Sequence, residues 1–192
     1  MEFFIQIKPV VVIIHAFAGA IGIGATTVTD TLFFKFLSDR IVSTGEKEVM
    51  DVLSKVLWVA LFILILSGVA LFLSNPAGYA ASSKFLVKVC IVAVIVFNGI
   101  LLSTYLGPNL ERLQFNTKES LGQNIGFKRI AFIAGVVSIS SWYASFFLGL
   151  MRSIPLTFVQ GILVYVVVVL SGAIISQLVL RKFSKNTIFD EI

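Results

Sequence analysis

The chain contains a single histidine, His15, and it lies in the stretch "VIIHAFAGAIGIGATTVTD" that ends on Asp30. An imidazole and a carboxylate inside an apolar run are the residue types of metal ligation, proton transfer or ion binding. On a helix rising 1.5 Å per residue they stand roughly 22 Å apart, too far to share one metal ion. They therefore mark two separate layers, and each layer needs partners from other elements.

Those elements are membrane spans. Of 192 residues, 58% are hydrophobic and only 13% charged, and the mean hydropathy is +1.01. A soluble domain is about half apolar and a quarter charged, so lipid must solvate much of this surface. Five runs reach the roughly 20 residues that a helix needs to cross a bilayer: 9–36, 49–74, 85–106, 130–151 and 156–180. Backbone groups in lipid must bond internally, which makes each run a helix, the β-branched stretch "VYVVVVL" included. The expected fold is one all-α domain over 1–192, an integral membrane bundle of five helices. The start, "MEFFIQIKP", lacks the pattern of a cleavable signal, and the run after it reads as a permanent span.

The connections set direction. "STGEKEVMD" offers Ser43 as a cap with Glu46 three residues on, a capping box that starts the second helix in water. "NPAGYAASS" and "RSIP" are short, so the spans they join are antiparallel neighbours, with Pro155 near the first turn of the fifth. The 107–127 connection is the longest and has room for a short surface helix. The tail "RKFSKNTIFDEI" is polar and reads as loose. Of 15 Lys and Arg residues, eleven fall on the side of the 37–48 and 107–129 segments and the tail, and four on the other. This bias places the N-terminus outside and the C-terminus in the cytoplasm of a bacterial or archaeal plasma membrane. The basic residues form no stripe, so nucleic acid is not an expected partner. Cys90, the single cysteine, cannot close an intrachain disulfide and reads as a small buried hydrophobe.

Depth counting then fills the layers. In the inner one, Asp30 and Lys55 are equally far from the cytoplasmic ends of two antiparallel helices, so a structural ion pair is natural; the other reading gives Asp30 a part in proton or cation movement. In the outer one, Ser67, Lys88, Ser145 and Gln160 come to the depth of His15. Pairwise hydrogen bonding with Lys88 snorkelling outward is the plain reading. The functional one is a wet pocket in which His15, Lys88 and Gln160 bind a ligand or cofactor, with His15 as haem or metal ligand. The face carrying Ala18, Gly19, Gly22, Thr26 and Thr29 admits close helix packing or a flat ring. Trp142 falls too deep for an interfacial belt and is expected inside the bundle. The chain has no Gly-rich phosphate loop, CxxC, HExxH or GxSxG, which weighs against a hydrolase or an ATP-driven pump.

His15, the Gly/Ala-rich first helix, "DTLFFKFL", "SGVALFL", "KFLVK", "NGILL" and Pro108 together resemble a family of uncharacterised bacterial five-helix membrane proteins. More remotely, the layout is similar to copper resistance protein D-like and membrane protoporphyrinogen oxidase-like bundles. The resemblance covers about half the chain. It implies haem- or copper-linked redox or maturation work, with His15 as ligand and Lys88 against an anionic group. One histidine per chain would then call on a second copy for the other ligand, hence a homodimer or a larger complex. Two other classes stay open. "AFAGAIGIG" echoes "AFIAGVVSIS", and "LILSGVALFL" echoes "VVVLSGAIIS", an inverted repeat of the kind that marks small transporters or channels. An accessory subunit of a membrane complex would need no site. The sequence does not decide whether the chain is an enzyme.

Overall fold

The computed structural model describes residues 2–38, 43–112 and 125–189. Within them the regular structure is helical: α1 (Glu2–Ser38), α2 (Thr44–Ser74), α3 (Pro76–Ala80), α4 (Ser83–Leu101), α5 (Ile125–Leu150) and α6 (Phe158–Phe189). All but α3 are long and apolar enough to cross a membrane, over Glu2–Phe33, Gly45–Ser74, Ser83–Asn109, Ile125–Leu150 and Phe158–Arg181.

Local chemistry sets the boundaries. Glu46 N–H bonds Ser43 Oγ at 3.3 Å and Ser43 N–H bonds a Glu46 carboxylate oxygen at 2.7 Å, the reciprocal box that starts α2. A second box starts α6: Thr157 N–H bonds Gln160 Oε1 at 3.0 Å, and Gln160 N–H bonds Thr157 Oγ1 at 3.3 Å. Pro155 therefore precedes the fifth span instead of opening it. α1 begins before the expected residue 9 and carries Pro9 within it; spanning helices tolerate the lost hydrogen bond where neighbours compensate. α6 runs on to Phe189, past the expected end at 180.

After Leu101 the helical ladder loosens into a π turn, Leu102–Leu106, then tightens into a 3₁₀ turn, Gly107–Arg112. Pro108 explains the change, because its ring cannot fit the α ladder and it has no N–H to donate. The short helix expected in the 107–127 connection would fall mainly on 113–124, outside the described residues.

Packing leaves most apolar side chains facing outward, as lipid-solvated helices require: Phe17, Phe62, Phe97 and Ile174 are all more than 60% exposed. Cys90 also faces outward, which corrects the buried position expected for it. Two apolar clusters hold the interior. One joins Ala18, Leu61, Leu64, Val87, Ile91, Ile95 and Trp142, nearer the two short turns. The other joins Leu106, Phe127, Ala131, Phe132, Ala134 and Leu180, nearer the long connection. Close helix approach is needed at several glycines, Gly22 and Gly161 among them. A Cβ on Gly22 would overlap the ring of Trp142, and one on Gly161 would lie 2.7 Å from Val87 Cγ2. Trp142 is thus interior, as its depth predicted.

Candidate functional site

At the short-turn end, α1, α2 and α4 meet at His15, and α5 reaches the cluster through Lys88. The ring lies against Gly68, where an added Cβ would stand 3.6 Å from Cε1, so α2 comes close to α1 at this level. His15 Nδ1 lies 2.9 Å from Ser67 Oγ, and His15 Nε2 lies 3.3 Å from Lys88 Nζ. Ser67 donates its own hydrogen to the carbonyl of Ile63 at 2.7 Å.

This chain of partners has one consistent polarity. Ser67 spends its proton on the helix backbone, so it accepts from Nδ1–H. The Nδ1–H tautomer leaves the lone pair on Nε2, which accepts from the Lys88 ammonium. Both ring nitrogens are thereby engaged within the protein.

Lys88 lies in the second turn of α4 and is half-buried. Its ammonium lies beside the last turn of α5, 3.6 Å from where a Gly149 Cβ would stand. Lys84, one turn before it, donates to the carbonyl of Met151, just beyond α5. Two cations thus gather at the C-terminal end of α5, where the helix dipole is negative. Neither meets a carboxylate among the described residues. Arg152, exposed in the following turn, adds a third positive charge at this end.

Two residues expected in the cluster are elsewhere. Gln160 is exposed and committed to the α6 cap, so it does not reach His15 or Lys88. Ser145 is buried on α5 but forms no hydrogen bond with either. The T-x-x-Q signal at 157–160, the same pattern as at Ser43–Glu46, could have assigned Gln160 to the cap.

The inner layer also differs from expectation. The structure does not bring Asp30 and Lys55 together. Asp30 Oδ2 is buried with no hydrogen-bond partner. Lys55 is exposed and lines an outward-facing groove of about 530 Å³ between α1 and α2, with Phe17, Ile21, Val59 and Ile63. The two residues match in depth but project from different sides of the hairpin. Polar groups tie the middle of the bundle, Asn98 and the serines of "SISSWYAS" as their types suggest and Trp58 without a signal in the sequence: Asn98 Nδ2 donates to Ala134 O at 3.0 Å, Trp58 Nε1 to Ser103 Oγ at 2.9 Å, and Tyr165 and Ser141 share a 2.7 Å bond. Each satisfies a group that would be costly bare in lipid.

The sequence echo does not repeat the site. Ser67 is buried against His15, whereas Ser171, its counterpart in the second "LSG", is exposed. Gly68 packs on His15, but Gly172 packs on Val136.

The site can bind an anion, with Lys88 as the charged donor and His15 as the group that holds it. It is poorly arranged to ligate a metal through His15, because Nε2 points at an ammonium. Among the described residues no group of three His, Cys, Asp or Glu side chains gathers as a metal site. No protein family, curated protein or solved structure matches the chain.

Proposed function

We propose that this chain is a multi-pass plasma-membrane protein that binds a carboxylate-bearing ligand at the Lys88–His15 site, with the short-turn end outside and the C-terminus in the cytoplasm. One observation carries the reading: Lys88 lies in a span with its ammonium on a histidine acceptor, beside a second lysine, and with no carboxylate near it among the described residues. A half-buried cation in a span without a counter-ion is costly, which makes it a candidate for ligand binding. An entering carboxylate would supply the missing charge and a charge-assisted hydrogen bond.

The resemblance makes a tetrapyrrole the leading ligand class, in a redox or maturation role. The residues fit the acidic edge of such a ring, which Lys88 would meet. They do not fit its metal, because both nitrogens of His15 are already engaged. The chemistry of a bound haem would be the iron's own. His15 would orient Lys88 and hold a proton at Nδ1. A homodimer is not required by this arrangement, because no second histidine is called on.

Metal-free protoporphyrin and haemin, titrated separately into the purified protein, test the reading. Both are expected to bind saturably with similar affinity, about tenfold or more weaker in Lys88→Met, the scale of one lost hydrogen bond to a charged group. Absence of saturable binding by either would refute it. So would a His15→Ala variant that loses haemin binding but still binds metal-free protoporphyrin as the wild type does, which would make the histidine an iron ligand.

A further inference from the structure

Three buried polar atoms have no protein partner among the described residues: Thr26 Oγ1, Asp30 Oδ2 and Gln177 Nε2. The first two belong to α1 and stand one turn apart on the same face. Thr26 is unlike the threonines around it. Thr27, Thr29 and Thr31 each return the hydroxyl to the carbonyl four residues back, at 2.7, 2.8 and 2.7 Å. Thr26 is 1% exposed and does not. Its oxygen and that of Asp30 are left for something other than the helix backbone.

Positions i and i+4 of a helix hold their Cβ atoms about 5–6 Å apart, a gap that one small ion or a proton-bearing water spans. A carboxylate oxygen shut away from water without a hydrogen bond or a cation is unfavourable, even on the half-buried Asp30. Lys55, the expected counter-charge, faces the outward groove instead. We propose that Thr26 and Asp30 form a site for one exchangeable monovalent cation, either a sodium ion or a proton on the carboxylate. A single positive charge balances the single carboxylate. A divalent ion would leave excess charge beside a single carboxylate, and a sodium ion here would complete its oxygen shell with water. This site is independent of the Lys88–His15 reading and stands or falls without it. It would supply the ion-binding group that a small transporter needs.

The titratable groups nearest in register on the helices packed against α1 are Asp51 and Lys55 on α2, and Lys128 and Tyr143 on α5. None bonds Asp30, and Tyr143 shares a 3.0 Å hydrogen bond with Thr27.

Thermal unfolding of the purified full chain in detergent tests the proposal, with sodium replaced by choline at constant ionic strength and with pH varied. If sodium is the occupant, the melting temperature rises with sodium, and Thr26→Val weakens the response. If a proton is the occupant, sodium has no effect and the melting temperature falls as pH rises. In Asp30→Asn both responses are lost. A wild type that responds no more than Asp30→Asn to either variable overturns the site. Should Asp30→Asn fail to fold, dicyclohexylcarbodiimide labelling of the wild type reads the same chemistry, because the reagent adds to protonated carboxyl groups in apolar surroundings. The expected result is an adduct on Asp30 whose formation slows several-fold with added sodium or with rising pH. No adduct on Asp30, or one that neither condition slows, overturns the proposal.

Discussion

The ammonium of Lys88 lies 3.3 Å from Nε2 of His15, and the other ring nitrogen lies 2.9 Å from Ser67 Oγ. The imidazole is therefore a spacer between a cation and a helix. It relays the fixed orientation of Ser67, which is bonded to its own backbone, to the side chain of Lys88.

Ser67→Ala is expected to destabilise the protein by about 1–3 kcal/mol, because it leaves His15 Nδ1–H without an acceptor in an apolar setting. In a double-mutant cycle with His15→Ala, the second change should add much less than it costs alone. Reversible unfolding in mixed micelles measures both. Additive effects would separate the two residues.

Gly22→Val should cost about 1–3 kcal/mol through overpacking, because any Cβ at this position meets the Trp142 ring. Adding Trp142→Leu should recover part of that loss. The same substitution at Gly24, where nothing lies within 4 Å of an added Cβ, should be near neutral. Thermal melts of the three variants make the comparison.

Asp30→Asn and Lys55→Met should be additive in stability, because no ion pair joins the two residues and Lys55 faces outward. A coupling energy of about 1 kcal/mol or more would show that they pair. Lys55→Met alone should be close to neutral.

Orientation is testable on the Cys90→Ala background. A cysteine introduced at Ala77, exposed in the short α3 turn, should react with a membrane-impermeant thiol reagent added to intact cells. One introduced at Lys118 or Lys185 should react only after the cells are opened. The reverse pattern would invert the topology.

Much of this arrangement was legible in the sequence, for a specific reason. Antiparallel helices joined by short turns share a depth scale of 1.5 Å per residue. That scale placed His15, Ser67 and Lys88 at one level, and the three are in hydrogen-bond contact. Depth, however, is only one coordinate on a cylinder. Asp30 and Lys55 match in depth but differ in the side of the helix they occupy. Facing was legible on α1, where Ala18 and Thr26 of the small-residue face are buried, but not on α2, whose apolar residues cover every side and leave no polar stripe to mark the interior. Gln160 failed for another reason: a local partner, Thr157, outcompeted the distant cluster for its side chain. Cys90 illustrates the rule that lipid reverses, since a small apolar residue gains nothing by facing inward when the surroundings are apolar.

Because the chain has one histidine, nitrogen-15 labelling of histidine gives the spectrum of a single imidazole, and this tests the central claim most directly. The account predicts the Nδ1–H tautomer in the free protein, with Nε2 as a hydrogen-bond acceptor. Addition of metal-free protoporphyrin should shift the Nε2 signal, as Lys88 turns from the ring to the carboxylate, and Lys88→Met should abolish that shift. An Nε2–H tautomer in the free protein, or an Nε2 signal that stays in place at saturating porphyrin, would contradict it.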